Sequence, residues 1–137
     1  MIPSGFEYHA ASSVQDAIRL LTENEDAKIL AGGHSLLPMM KLRFAEPAHL
    51  VDINGLQELK GIERDGDVIQ IGAMTTENEL IASEILQQHC PLLVDAAKLV
   101  ADPQVRNRGT VGGDVAHGDP GNDHPAVMLA LDAEFVI

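Results

Sequence analysis

Two glycine pairs limit what this 137-residue chain can fold into. The first is Gly32-Gly33 in AGGHS, and the second is Gly112-Gly113 in TVGGD. The second pair lies in the stretch 109–127, which is also rich in proline, histidine and aspartate. Because glycine has no Cβ, it lets the backbone turn tightly or lets another group approach the main chain. Both segments are therefore candidates for contact with a ligand.

The first pair follows a predicted strand and precedes a predicted helix. That arrangement directs backbone N–H groups and the positive end of a helix toward one place, which suits an anion. Two such loops would suit a pyrophosphate, because it carries two charged groups. The alternative is that both pairs are ordinary tight turns. Neither matches the fingerprint G-x-G-x-x-G or the phosphate-binding loop ending in G-K-[ST]. The residues alone support a phosphate-bearing ligand held by loop backbone.

Short helical and strand-like patterns alternate along the rest of the chain. The predicted elements are a helix in VQDAIRLLTEN, a strand in AKILAGG, a helix in SLLPMMKLRF, a strand in HLVDI, a hairpin in LKGIERDGDVIQIGAM, helices that end near Val100, the loop that holds the second glycine pair, a helix from about Asp123 to Leu131, and a strand in AEFVI. This order predicts an α+β fold with two lobes, residues 1–54 and 55–137.

Local signals mark where three of these elements begin or turn. Ser12 or Ser13 is expected to cap the first helix. Thr75 or Thr76 begins a later helix, and Glu79 stands where a capping box needs an acidic residue. The hairpin is expected to turn at Asp65-Gly66.

Charge and cysteine content exclude several classes of function. The formal net charge is −12, with 21 acidic and 9 basic residues, which argues against a nucleic-acid or anionic membrane partner. Cys90 is the single cysteine, so the chain forms no internal disulfide and a reducing compartment is expected. No apolar run could span a bilayer, and no signal peptide is evident. We therefore expect a cytoplasmic protein.

A divalent metal site is an alternative interpretation of the second glycine-rich stretch. His117, Asp119, Asp123 and His124 are ligand types at intervals that could hold a cation and activate water. The competing interpretation is structural, with a turn at Asp119 and the start of a helix at Asp123, where an acidic residue is favourable. No dense ligand motif such as H-E-x-x-H supports the metal.

The segments AGGHSLLPMMKLR and QVRNRGTVGGDVAHGDPGNDHPAVMLALDA, with the opening PSGFEYHAASSVQDAI, resemble the FAD-binding medium subunit of the molybdenum hydroxylases. That family includes the xanthine dehydrogenases and the aerobic carbon monoxide dehydrogenases, and GDPGND is most similar to the latter. The resemblance implies the two-lobed FAD-binding fold of the vanillyl-alcohol-oxidase (PCMH) type. Because the family's subunits are roughly twice this length, it also implies a fold that is incomplete at its C-terminus.

The same resemblance implies which residues contact FAD, and it implies no catalytic residue and no metal ligand. The implied contacts are Ala31, Gly32, Gly33, His34, Ser35, Leu36, Thr110, Val111, Gly112, Gly113, Asp114 and Asp123. Asp114 stands where the family often has asparagine or serine, and its carboxylate would repel a pyrophosphate unless it pointed away or capped an N–H group. Arg106 and Arg108 would offset phosphate charge or face a partner subunit.

In such a complex, the implied role of the chain is electron relay. The implied partners are a [2Fe-2S] small subunit and a molybdenum-cofactor large subunit, with FAD passing electrons to an acceptor such as NAD or a quinone. Two alternatives remain, a stand-alone FAD oxidoreductase of the same fold and a non-catalytic assembly fragment. Bound flavin would separate the flavoproteins from the assembly fragment.

Overall fold

Three short parallel strands form the first sheet of the structure, a computed structural model that describes residues 1–137. The strands are β1 (Glu7–Ala10), β2 (Ala27–Leu30) and β3 (His49–Asp52), and their order in the sheet is β1-β3-β2. Helix α1 (Val14–Glu23) follows β1, and helix α2 (Leu36–Lys41) connects β2 to β3. Because the strands are parallel, their carboxyl ends lie at the same edge of the sheet.

The first helix begins where its sequence predicts. Ser13 is the N-cap residue, and its side chain accepts a hydrogen bond from the amide of Asp16 at 3.1 Å. Ala17 and Leu20 are buried and pack in one apolar cluster with Val51 of β3. The helical spacing of apolar residues thus supplies the face that covers the first sheet.

Strand β1 is absent from the sequence prediction. Three of its four residues are exposed, so EYHA shows no alternation of apolar and polar side chains. The strand forms because its backbone pairs with β3 in parallel register, with Glu7 opposite His49. Pairing with a distant segment leaves no local sequence signal.

The second half of the chain contains a hairpin and six helices. Its elements are β4 (Ile62–Asp65), β5 (Val68–Ile71), α3 (Glu77–Ala82), α4 (Glu84–His89), α5 (Pro91–Leu99), α6 (Pro103–Arg106), α7 (Val111–His117) and α8 (His124–Ala130), with a short 3-10 helix before them at Gln57–Leu59. Asp65 pairs with Val68, so the hairpin turns at Gly66 and the residue after it, one position later than predicted. Gly66 has φ +59°, which glycine adopts with little strain.

The predicted capping box is confirmed at the start of α3. The Thr76 side chain accepts from the Glu79 amide at 3.3 Å, and the Thr76 amide donates to the Glu79 carboxylate at 2.7 Å. Leu80 of the same helix is fully buried and belongs to the larger apolar core. Seven buried residues make up that core: Leu80, Leu86, Leu93, Val94, Ala97, Val111 and Met128.

Two predictions about the later part of the chain are wrong. Gly112 and Gly113 were expected in a loop, but both lie in the first turn of α7, which Thr110 caps and Gly118 ends in the left-handed conformation. AEFVI was expected to form a strand, but residues 133–137 have no regular structure. Apolar residues favour a strand only where a neighbouring strand accepts their hydrogen bonds, and none pairs with this segment.

A second apolar core lies between the first sheet and α1. It contains Ala11, Ala17, Leu20, Val51 and Leu56. Leu56 follows the predicted boundary at Asn54 in sequence, and the division into lobes 1–54 and 55–137 stays a prediction. None of the helices combines the length and the apolar composition that crossing a membrane requires.

Candidate functional site

The two glycine segments meet in space at the wall of one cleft. A Cβ built on Gly113 would lie 3.5 Å from the Cβ of Ala31, and a Cβ on Gly32 would lie 2.2 Å from the Arg108 carbonyl oxygen. The cleft has a volume of about 880 Å³. Of the twelve predicted contact residues, all except Val111 line it; Val111 is buried in the larger core.

The first segment presents backbone donors that nothing in the chain uses. None of the N–H groups of residues 31–35 donates to an acceptor within the protein. Gly33 has φ +82°, a conformation that turns the chain from β2 toward α2 and that a side chain would strain. Ser35 precedes α2 without a side-chain capping bond, so its hydroxyl is also free. This segment has the donor set that an anion requires.

The second segment differs, because its backbone donors are already paired. The Val111 amide donates to the Thr75 carbonyl at 3.0 Å, and the Gly112 amide donates to the Ala73 carbonyl at 2.8 Å. The Gly113 amide donates to the Thr110 hydroxyl at 3.2 Å. The expectation that both glycine pairs offer free amides is therefore wrong for the second pair.

Close packing explains why the second segment contains glycine. A Cβ on Gly112 would stand 2.6 Å from the Cβ of Ala73 and 2.7 Å from its carbonyl oxygen. A Cβ on Gly113 would stand 2.7 Å from the Thr110 hydroxyl oxygen. The start of α7 can lie against Ala73 only because Gly112 carries no side chain, and Gly113 leaves room for the Thr110 hydroxyl that caps the helix.

Asn54 joins the first glycine segment to the second half of the chain. Its side-chain nitrogen Nδ2 donates to the Ala31 carbonyl at 2.8 Å and to the Asp52 carboxylate at 2.7 Å. Its side-chain oxygen accepts from the Arg108 guanidinium at 3.4 Å. In the sequence Asn54 stood out only as the end of the first predicted lobe, and the distance in sequence to Ala31 and Arg108 left no local signal of this role.

Asp52 anchors this network with a charged carboxylate. Burial alone would raise the pKa of Asp52, but hydrogen bonds from Tyr8 and Asn54, with Arg108 nearby, outweigh burial and lower it. The Tyr8 hydroxyl donates to Asp52 at 2.5 Å. The carboxylate therefore stays ionised and holds the end of β3 beside the cleft.

The two arginines before the second glycine segment have different roles. Arg106 donates to the carbonyl of Val100 at 2.8 Å and also reaches the carbonyls of Lys98 and Ala101, so it caps the end of α5. Arg108 instead extends toward Asn54 with an exposed side chain. Of these two arginines, only Arg108 stands where its charge could offset negative charge near the first glycine segment.

A buried acid–imidazole pair lies at the wall of the cleft. His124 Nε2 lies 2.8 Å from Glu77 Oε1, and the two side chains are 1% and 3% exposed. The second carboxylate oxygen of Glu77, the Nδ1 of His124 and the Oδ2 of Asp114 are buried without hydrogen-bond partners. This pair joins α3 to α8, and sequence analysis considered His124 only as a metal ligand.

The charges around the pair shift two pKa values. Burial disfavours the charged form of His124, but the hydrogen bond to Glu77 and the carboxylates of Asp114 and Asp123 outweigh it and raise the pKa of His124. Burial, with Glu77 and Asp123 nearby, raises the pKa of Asp114, although His124 acts in the opposite direction. A protonated His124 would therefore favour the charged form of Asp114 while its own positive charge offsets part of the negative charge at this wall of the cleft.

Asp123 and His34 lie at the rim of the cleft. Both are exposed, line the cleft and make no side-chain hydrogen bond within the chain. Asp123 stands at the start of α8 without capping it. Among His117, Asp119, Asp123 and His124, no three bring ligand atoms within 4.8 Å of one another, so the proposed metal centre does not assemble.

The sequence matches a family profile described as the FAD binding domain in molybdopterin dehydrogenase over residues 4–137. It is 64% identical to the carbon monoxide dehydrogenase medium chain of Hydrogenophaga pseudoflava, over 100% of this chain and 48% of the relative. It is 51% identical to the corresponding chain of Afipia carboxidovorans, over 98% of this chain and 47% of the relative. The chain therefore spans about half the length of the relatives it matches.

Solved structures agree with the sequence comparison. A carbon monoxide dehydrogenase structure from Hydrogenophaga pseudoflava superposes with a TM-score of 0.93 at 66% identity, over 95% of this chain and 46% of that one. Quinoline 2-oxidoreductase from Pseudomonas putida 86 superposes with a TM-score of 0.91 at 38% identity, over 93% of this chain and 45% of that one. The predicted α+β FAD-binding fold is confirmed, and the chain belongs to the family of FAD binding domains of molybdopterin dehydrogenases.

Proposed function

We propose that this chain holds FAD within a molybdenum-containing hydroxylase of the carbon monoxide dehydrogenase type, and that the complex relays electrons from a [2Fe-2S] partner to an acceptor. The relatives' names support this class of complex, because those from Hydrogenophaga pseudoflava and Afipia carboxidovorans are medium chains of carbon monoxide dehydrogenase. A small iron–sulfur subunit and a large molybdenum subunit are the proposed partners. A cytoplasmic location stays a prediction from the sequence.

The observation that carries the proposal is the row of unused amides at residues 31–35 beside the cleft. Free N–H groups in a turn that Gly33 holds open are the donor arrangement that binds phosphate oxygens. The second glycine segment lines the cleft but offers no free donors, because the amides of Val111, Gly112 and Gly113 already donate to acceptors within the protein. We therefore assign the pyrophosphate mainly to Ala31, Gly32, Gly33, His34, Ser35 and Leu36.

The remaining candidate residues are assigned by their position at the cleft. Gly112 packs the start of α7 against Ala73, Thr110 caps that helix through the Gly113 amide, and all three residues line the cleft. Asp123 offers an unpaired carboxylate that could accept from a hydroxyl or amine of the cofactor. Asp114 lines the cleft together with the Glu77–His124 pair, and burial raises the pKa of its carboxyl group.

When bound, FAD supplies the two-electron redox chemistry, and the protein contributes binding, orientation and electrostatics. Lys28 lines the cleft and Arg108 lies beside Asn54, and these cations reduce the repulsion between an anionic cofactor and an acidic protein.

A fluorescence titration of the 137-residue chain with FAD tests the proposal. We expect saturable binding, tighter for FAD than for FMN, with competition by ADP, because a pyrophosphate site recognises the dinucleotide part. Gly33→Ala is expected to weaken FAD binding several-fold, since φ +82° strains alanine and its Cβ would lie 2.9 Å from Leu37.

Gly66→Ala is the matched control for that variant. Gly66 also has positive φ but lies in the hairpin turn with nothing within 4 Å of an added Cβ. Both variants carry backbone strain, and only Gly33 is at the cleft. Equal affinity for FAD and FMN, or equal effects of the two variants, would count against the assignment. No flavin binding at all would favour the assembly fragment instead.

A further inference from the structure

A second group of ligand-type side chains lies on the first sheet, away from the cleft. Glu7, His9 and His49 each place one ligand atom within 4.8 Å of the others. We propose that these three residues bind a divalent transition-metal ion of the zinc class. The residues play no part in the cofactor assignment, and the proposal does not depend on it.

The pairing of β1 with β3 brings the three side chains to one face. Glu7 is the register partner of His49, and His9 follows Glu7 by two positions, so all three project from the same side of the two strands. A backbone hydrogen bond of 2.8 Å from the Glu7 amide to the Ala48 carbonyl fixes the start of this pairing. Ligands carried by paired strands are held in place before a metal arrives, which favours binding.

The distances between the ligand atoms suit a first-row metal ion. His9 Nε2 and His49 Nδ1 are 3.1 Å apart, and Glu7 Oε2 is 3.6 Å from the same His49 nitrogen. Ligands about 2 Å from a tetrahedral zinc ion stand roughly 3.3 Å from one another. An ion placed between the three atoms would thus need only small side-chain adjustments.

The ligand types select among cations. Two imidazoles and one carboxylate are donors that suit zinc, nickel and copper, whereas calcium and magnesium prefer oxygen ligands. Three protein ligands leave a fourth position for water. The His49 side chain is 23% exposed and the Glu7 side chain is 74% exposed, so the site is open on the carboxylate side for entry of the ion.

The position of the cluster indicates a structural role. Glu7 and His49 are the first residues of their strands, so they lie at the amino edge of the sheet. The Ala31–Ser35 segment follows the carboxyl end of β2, at the opposite edge. A bound ion would link β1, an outer strand, to the central strand β3.

Isothermal titration of the 137-residue chain with Zn²⁺ tests the site. We expect one ion per chain, a higher melting temperature with Zn²⁺, and no comparable response to Mg²⁺. His9→Gln is expected to weaken Zn²⁺ binding at least tenfold and to abolish the thermal shift. Glu7→Gln, a change at an exposed side chain, is expected to reduce affinity without affecting folding.

His89→Gln is the matched control, because His89 ends α4 and contacts Arg64, outside the cluster. It should bind Zn²⁺ like the unaltered chain. Undiminished Zn²⁺ binding by both His9→Gln and Glu7→Gln would overturn the proposal, since the ion would then bind elsewhere. A failure of the unaltered chain to bind Zn²⁺ would overturn it as well.

Discussion

A Cβ on Gly32 would stand only 2.2 Å from the carbonyl oxygen of Arg108. The segment after β2 and the segment before α7 therefore touch through their backbones, without any side chain between them. The neighbour is main chain, which cannot rotate away as a side chain can. The shape of the cleft thus depends on the absence of a single methyl group.

Gly32→Ala should therefore displace one of the two segments. We expect a loss of about 1–3 kcal/mol in the free energy of unfolding, as is typical of overpacking. Urea unfolding monitored by circular dichroism measures this. Gly55→Ala is the control, since nothing lies within 4 Å of an added Cβ there. Equal stabilities of the two variants would mean that the contact is not as close as described.

The buried pair of Glu77 and His124 should show strong coupling. Glu77→Leu leaves a buried imidazole without its partner, and we expect it to lower the free energy of unfolding by roughly 3–5 kcal/mol. The double variant Glu77→Leu, His124→Leu should lose less than the sum of the two single variants, because it leaves neither group unpaired. A double-mutant cycle by urea unfolding measures this, and additive losses would contradict the pairing.

The same pair should make stability depend on pH. The pKa of His124 in the folded state lies above its ordinary value of 6.5. The stability that protonated His124 contributes is therefore complete below that value and is lost as pH rises through the folded-state pKa. We expect the free energy of unfolding to fall as pH rises above about 6.5 and through the folded-state pKa of His124. Glu77→Gln should flatten this slope, and an unchanged slope would assign it to another group.

Asn54→Ala should loosen the first glycine segment. It removes the donor to the Ala31 carbonyl and the acceptor for Arg108, and we expect a loss of about 1–3 kcal/mol in stability. FAD affinity should fall as well if that segment binds the pyrophosphate. Asn107→Ala is a suitable comparison, because exposed Asn107 makes only one long side-chain contact, 3.4 Å to Asn78. Similar effects of the two changes would argue against the role of Asn54.

Features that depend on nearby residues were predictable from the sequence. Ser13 caps α1, and Thr76 with Glu79 forms the capping box, because each of these bonds joins residues three apart. The two glycine pairs also predicted where the chain comes together, since close backbone approach demands glycine.

Features that depend on distant residues were not predictable. Nothing near Asn54 indicates Arg108, and nothing near His124 indicates that Glu77 is its partner. The amides of the second glycine pair looked free in sequence, but the Ala73 carbonyl accepts from Gly112 and the Thr110 hydroxyl accepts from Gly113. Whether a donor is free depends on the whole fold, so a glycine motif predicts proximity better than it predicts binding.

The contact between Gly32 and Arg108 also affects the order in which parts of the chain can fold. During synthesis, β2 and the turn after it leave the ribosome long before Arg108 does. Until Arg108 and Gly109 arrive, Asn54 can already donate to the Ala31 carbonyl, but the backbone contact on the Gly32 side of the turn is missing. Contacts between segments so distant in sequence form late in folding, because closing a long loop costs entropy first. A nascent chain would therefore acquire its ligand-binding geometry near the end of folding, after α6 has emerged.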